Sequence, residues 1–195
     1  MKTFITILIV IISTIPMASQ NTCMYGSESH TEGEPGQKGL QNAVDTMVKK
    51  LYMNTPITLT TTDTGLPSAI AKDGAYFINY SSATLNALLD EDPNLWFPVF
   101  THLVGHIKSV DMTRTPFFPA KDTKKEHPDD PEFLQRRERW ADRYAGKLFS
   151  KEPGMSFEES LRLYKLSLKH LGGHTEIWSN QERLEHFTQG YNGDY

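Results

Sequence analysis

The sequence is short of cysteine, of concentrated charge and, beyond its first residues, of long apolar stretches. Cys23 is the only cysteine among 195 residues, so no disulfide can form within the chain and stability must come from the core. The formal net charge is −4 and no block of basic residues is present, which argues against nucleic acid as a partner. The apolar fraction of 38% and the charged fraction of 23% are those of a globular domain.

A run long enough to cross a membrane is also missing. The apolar run from Phe4 to Ile12 is shorter than the ~20 residues that a spanning helix needs. It follows Lys2 and leads into small and polar residues, a pattern typical of a secretory signal peptide over residues 1–19. We therefore predict a secreted or periplasmic protein without a membrane span in the mature chain. The alternatives are an uncleaved N-terminal anchor and a lipid attached to Cys23.

The rest of the chain divides into a polar lead-in and one domain. Residues 20–36 are rich in Gly, Ser, Glu, Asn and Thr, and we interpret them as a flexible lead-in. We predict a single domain from residue 37 to residue 195, a length that suits one hydrophobic core. This domain begins with a helix over 37–53, where apolar residues recur at helical spacing.

The hydrophobic patterns that follow predict strands first and helices afterwards. β-branched and aromatic runs predict strands at 56–61, 68–71 and 75–80, the last two joined by an Asp-Gly turn. The predicted helices cover 82–89, 93–109, 132–149, 156–171 and 179–189. A proline-containing loop occupies the interval 111–131. The pattern indicates an α+β domain with a small antiparallel sheet and a helical C-terminal half.

The helix predicted over 93–109 carries two histidines. His102 and His106 are four residues apart, so both rings lie on one helix face and can reach a single metal ion. Zinc accepts neutral imidazole and would need a third protein ligand from elsewhere. Gly105 costs ~1 kcal/mol inside a helix relative to alanine, which indicates that something approaches the helix closely. The alternative is that both histidines are ordinary polar residues of a half-buried helix.

Glu138 is the candidate third ligand. It lies early in the next convincing helix, with Asp142 one turn further on, so both carboxylates share one face. A metal-bound histidine usually donates its other ring N–H to a carboxylate or a carbonyl, and Asp142 is placed for that part. The alternative is that both are surface acids paired with neighbouring arginines such as Arg139 and Arg143.

One residue that zinc peptidases need is missing. The segment from His102 to His106 nearly matches the H-E-x-x-H motif, in which the glutamate is the general base. The position of that glutamate is occupied by Leu103, which cannot accept a proton. The metal-binding pattern and the catalytic pattern therefore disagree.

The order of these motifs resembles the gluzincin zinc metallopeptidases of the HtpX and CAAX-prenyl-endopeptidase type, in a small, soluble, secreted form. The resemblance covers about residues 37–193 and includes the strand, the two histidines, the Glu-x-x-Ala-Asp motif, a later helix and a Gly-aromatic end. It implies a zincin-like fold with the sheet packed on the metal-site helix. It also implies zinc bound by His102, His106 and Glu138, with Asp142 orienting a ligand. The motif order includes an arginine like Arg183 after the last helix cap. A His-Pro pair, common in the family before the last helix, is missing here.

Three functions follow from these patterns. A pseudopeptidase would keep zinc and bind a peptide or protein segment by strand addition near 76–80 without cutting it. An active zinc metalloendopeptidase would need a non-standard base, for which the candidates are Glu126, Asp129 and Asp130. A structural domain would hold no metal. Leu103 favours the first function over the second. Glu138 and Asp142 disfavour the third, because nothing but a metal obviously needs them together with the two histidines.

Overall fold

The computed structural model describes residues 37–113, 131–171 and 179–194. The predicted signal peptide, the predicted lead-in, Cys23 and the three acidic candidates for a non-standard base lie outside the described residues. Those expectations stay predictions. No helix in the described ranges combines the length and the apolar character needed to cross a membrane.

The described residues form an α+β domain, as predicted, and each of its elements overlaps a predicted one. They follow in the order α1 (Gln37–Lys50), β1 (Ile57–Thr62), β2 (Ser68–Lys72), β3 (Ala75–Ser81), α2 (Ser82–Glu91), α3 (Trp96–Thr113), α4 (Pro131–Phe149), α5 (Phe157–Ser167) and α6 (Asn180–Asn192). One continuous core joins the sheet to the helices and includes Val44, Ile78, Phe100, Leu148 and Phe187.

The sheet is mixed, so the prediction of an antiparallel sheet is wrong for one of its two pairings. β2 and β3 form the predicted hairpin, whose turn residues Asp73 and Gly74 have φ values of 51° and 81°. Positive φ at both positions is what a tight two-residue hairpin turn requires. β1, however, lies on the other side of β3 and runs parallel to it. The resulting order β1-β3-β2 makes β3 the central strand.

The parallel pairing arises because the link from β1 to β2 crosses the end of β3. The link, residues 63–67, is long enough to pass over one strand, a distance of about 10 Å. Thr84 on α2 holds it there, because its hydroxyl donates to the carbonyl oxygen of Gly65 at 2.8 Å. Gly65 has a φ of 112°, which a residue with a side chain rarely adopts. Alternating hydrophobicity predicts each strand, but it does not predict which strand lies next to which.

The outer edge of β1 is closed by α1. The Gln41 side chain donates to the carbonyl oxygen of Ile57 at 2.8 Å and accepts the N–H of Leu59 at 2.9 Å, as a neighbouring strand would. Strand addition near Tyr76 to Tyr80, as predicted, would need an unpaired strand edge there. This prediction is wrong, because β3 pairs with a strand on each side. Within the described sheet, the open edge therefore belongs to β2.

We expect Gln41→Leu to lower the free energy of unfolding by about 1–3 kcal/mol. The substitution removes the side-chain partner of two backbone groups in a buried strand, and such groups are costly to leave unsatisfied. Urea unfolding would measure the loss. Gln181→Leu, at an exposed position of α6, is the matched control and should change stability by less than about 0.5 kcal/mol. Equal effects of the two substitutions would contradict this role of Gln41.

Glycines set the spacing of the three helices that surround the predicted site. A Cβ at Gly105 on α3 would lie 2.6 Å from the carbonyl oxygen of Ala141 on α4, so the two helices approach closely where the sequence indicated. α4 and α6 approach more closely still: a Cβ at Gly146 would lie 2.0 Å from the Phe187 oxygen, and one at Gly190 would lie 1.9 Å from the Arg143 oxygen. The three helices can therefore bring their side chains into one cluster.

Candidate metal centre

His102 and His106 lie together on the buried face of α3. Their exposed fractions are 0% and 4%, so both side chains are buried. The one-turn spacing places the ring centroids 4.6 Å apart, with an angle of 89° between the ring planes. The two Nε2 atoms are 3.0 Å apart and so point to a common region.

Glu138 reaches both histidines from α4. Its Oε2 is 3.3 Å from His102 Nε2, and its Oε1 is 3.3 Å from His106 Nε2. The close crossing of α3 and α4, one turn away at Ala141, makes this reach possible. Burial alone would raise the pKa of Glu138, but the two facing histidines more than offset that effect and hold the pKa well below its usual range. Glu138 is therefore an ionised carboxylate, which is the form that binds metals.

The three donor groups form a triangle of the size that a tetrahedral ion requires. Its corners are the two Nε2 atoms, which are 3.0 Å apart, and the Glu138 carboxylate, which places Oε2 3.3 Å from His102 Nε2 and Oε1 3.3 Å from His106 Nε2. Ligands at ~2.0–2.1 Å from a tetrahedral zinc ion are ~3.3 Å from one another. One ligand atom from each residue lies within 4.8 Å of the others. The buried group of His102, His106 and Glu138 could therefore bind a metal ion.

Asp142 lies behind His102. Its Oδ1 is 2.9 Å from His102 Nδ1, which leaves His102 Nε2 directed at the donor triangle. Asp142 is fully buried and Glu138 is only 7% exposed, so the interpretation of these two residues as solvated surface acids is wrong. Burial would raise the pKa of Asp142, but Arg183 and His102 more than offset this and lower it.

Tyr164 joins the cluster from α5, a contact that the sequence did not indicate. Its hydroxyl donates to Asp142 Oδ1 and lies 3.2 Å from His102 Nδ1. Burial, together with the charge of Asp142, raises the pKa of Tyr164 well above its usual range, so the hydroxyl keeps its proton. Its ring stacks on Phe187 at 4.2 Å between centroids. A tyrosine at an apolar helix position looks like any core residue, so no sequence signal distinguished it.

Arg183 joins the cluster from the first turn of α6. Its Nε is 3.2 Å from Asp142 Oδ2, its Nη2 is 2.9 Å from Asp142 Oδ1, and Nη2 is also 3.2 Å from Glu138 Oε2. Burial would lower the pKa of Arg183, but the charge of Asp142 leads the opposing effects and raises it well above its usual range. Two buried carboxylates thus face one buried guanidinium. A further positive charge, from a metal ion or a protonated histidine, would balance the cluster.

Leu103 offers no proton acceptor at this site. Its side chain is 0% exposed and belongs to the continuous core. The two carboxylates that contact His102 are both occupied, since Glu138 faces the two imidazoles and Asp142 is bound by Arg183 and Tyr164. Within the described part of the chain, neither carboxylate of the cluster takes the place of the missing glutamate.

No protein-family model, no curated protein and no solved structure matches this chain. The gluzincin resemblance therefore stays a prediction. The candidate metal centre is defined by its own geometry, a His-x-x-x-His helix joined by a glutamate from the following helix.

Proposed function

We propose that this protein is a secreted, zinc-binding, peptidase-like protein in which peptide hydrolysis is impaired. One observation carries the proposal: in the buried triangle of His102, His106 and Glu138 the Nε2 atoms are 3.0 Å apart, and each is 3.3 Å from a different oxygen of Glu138. Secretion is inferred from the N-terminal signal-peptide pattern. The architecture proposed for the domain is the zincin-like one that the motif order implies.

The donor chemistry supports zinc. Catalytic zinc sites use a ligand set of two imidazole nitrogens and one carboxylate oxygen, with one tetrahedral position left open. Bound zinc would lower the pKa of a coordinated water to about 7 and polarise a carbonyl group. The chain itself contributes the orientation of His102 through Asp142 and a desolvated surrounding for the donors.

The residue beside His102 argues against efficient hydrolysis. A general base typically contributes ~10²–10⁴-fold to the rate. Leu103 has no lone pair with which to accept a proton, and its side chain belongs to the hydrophobic core. Binding without cutting is therefore the better-supported activity.

A peptide partner would meet the sheet at β2. Among the described residues this strand, Ser68–Lys72, is an outer strand of the sheet, and it packs beside α3. An extended segment could hydrogen-bond to the outer backbone of β2 by strand addition. The proposed peptide site thus lies at β2 and not along Tyr76 to Tyr80, where the sequence had placed it.

We expect the wild-type protein to show no chelator-sensitive cleavage of a quenched peptide library. Leu103→Glu should create or raise such cleavage, by up to ~10²–10⁴-fold, because it restores a carboxylate next to His102. Leu103→Gln is the matched control, since it places a polar side chain of the same size in the same buried position without a base. Both variants should lose stability, so folding and zinc loading are measured first.

Chelator-sensitive cleavage by the wild type would contradict the proposed loss of hydrolysis. A folded, zinc-loaded Leu103→Glu protein without activity would show that Leu103 alone does not silence the site. Activity of Leu103→Gln equal to that of Leu103→Glu would show that the carboxylate does not act as a base.

A further inference from the structure

Arg183 contacts two of the three candidate metal ligands and also Asp142, the carboxylate behind them. It binds both oxygens of Asp142, touches one oxygen of Glu138, and lies against the ring of His102. Only 6% of its surface is exposed. A buried cation with this set of contacts joins the donor triangle to the carboxylate behind it.

Arg183 contacts His102 over the face of its ring. Arg183 Nη2 is 3.3 Å from His102 Nε2 and 3.4 Å from His102 Nδ1. Both ring nitrogens flank the same carbon, so an atom in the ring plane at nearly equal distance from them would collide with that carbon. Nη2 therefore lies over the ring face, where a guanidinium group packs well. In the ring plane, Nδ1 remains directed at Asp142 and Nε2 at the donor triangle.

The first turn of α6 fixes where Arg183 stands. Ser179 caps this helix and forms a reciprocal capping box with Glu182, the residue immediately before Arg183. α6 is in turn held on α4 by the close backbone contacts at Gly146 and Gly190. Backbone packing, rather than a flexible loop, thus sets the position of the guanidinium group.

We propose that Arg183 is a positioning residue that sets the zinc affinity of the site. It holds Asp142 with two hydrogen bonds, lies over the ring of His102 and forms an ion pair with one carboxylate oxygen of Glu138. Two protein ligands are thereby held ready for the metal. A lysine would keep the charge but could not make these contacts together, because it has one nitrogen and no planar face. The inference rests on the proposed zinc site.

The test is the zinc affinity of full-length Arg183→Lys, measured by competition with a chelating dye. We expect zinc to bind 10–100-fold more weakly than to the wild type, as is typical when a residue that orients a metal ligand is changed. The visible absorption spectrum of the cobalt-substituted variant should also change, because the ligands are no longer held in the same geometry. Arg143→Lys is the matched control: Arg143 binds Gln189 outside the cluster, and both readouts should stay as in the wild type.

A wild-type affinity together with a wild-type cobalt spectrum in Arg183→Lys would overturn the inference and leave the zinc site standing. A wild-type protein that binds no zinc would overturn the proposed function and this inference together. If Arg183→Lys does not fold, arginine-labelled wild-type protein provides the second measurement. The Nε resonance of Arg183 should shift on zinc addition while that of Arg143 stays, and an unmoved Arg183 resonance would overturn the inference.

Discussion

Zinc is expected to raise the thermal unfolding midpoint of this protein by about 5–10 °C when free zinc is 100-fold above its dissociation constant. A ligand that binds only the folded state at that excess adds ~2.7 kcal/mol to stability, and each kcal/mol shifts the midpoint of a domain of this size by ~2–4 °C. Binding depends on folding here, because His102 and His106 meet Glu138 only when α3 and α4 cross. Calorimetry with and without zinc measures the shift.

Glu138→Gln should abolish that shift while keeping the size of the side chain. The amide is neutral and a poor zinc ligand, so the site loses its only anionic ligand among His102, His106 and Glu138. Glu152→Gln is the control, because Glu152 pairs with Lys50 at the surface and has no part in the cluster. An unchanged zinc shift in Glu138→Gln would contradict the assignment of Glu138 as a ligand.

Gly190→Ala is expected to lower the free energy of unfolding by at least about 3 kcal/mol. The new Cβ would lie 1.9 Å from the oxygen and 2.6 Å from the carbonyl carbon of Arg143. Both atoms are backbone, so no side chain can rotate away and α6 must move off α4. Such overpacking of a core contact is at the costly end of single substitutions. Denaturant unfolding measures the loss.

Gly39→Ala is the matched control for that substitution. Gly39 lies within α1, and a Cβ there would meet no atom within 4 Å. Alanine should stabilise this helix by up to ~1 kcal/mol. A Gly190→Ala protein as stable as the wild type would show that α4 and α6 do not depend on their close approach. Any folded Gly190→Ala protein should also bind zinc more weakly, because Arg183 moves with α6.

The local order of the fold could be predicted from sequence, because its signals are local. Helical spacing, the capping box at Ser179 and the Asp-Gly turn each act within a few residues. The glycine at position 105, inside α3, also correctly predicted a close contact, which the structure places between α3 and α4. The partner of β1 could not be predicted, since it depends on a link that crosses β3 and is held from α2 by Thr84.

In the candidate site too, the residues with local sequence signals could be predicted and those that depend on distant contacts could not. The spacing of His102 and His106 is local, and the Glu-x-x-Ala-Asp pattern gave both carboxylates a common face. Tyr164 and Arg183 reach the site only through the packing of α5 and α6, at separations of 62 and 41 residues from the groups that they contact. No short pattern encodes such contacts, so the contacts of Tyr164 and Arg183 with Asp142 and His102 were not predicted.

The zinc content of the purified full chain, combined with X-ray absorption at the zinc edge, tests the central claim most directly. We expect one zinc per chain, with two nitrogen and one carboxylate oxygen ligand from the protein at ~2.0–2.1 Å. His106→Gln should lose most of this zinc. A wild-type protein that stays metal-free after exposure to zinc, or a His106→Gln protein that keeps the wild-type content, would contradict the metal centre.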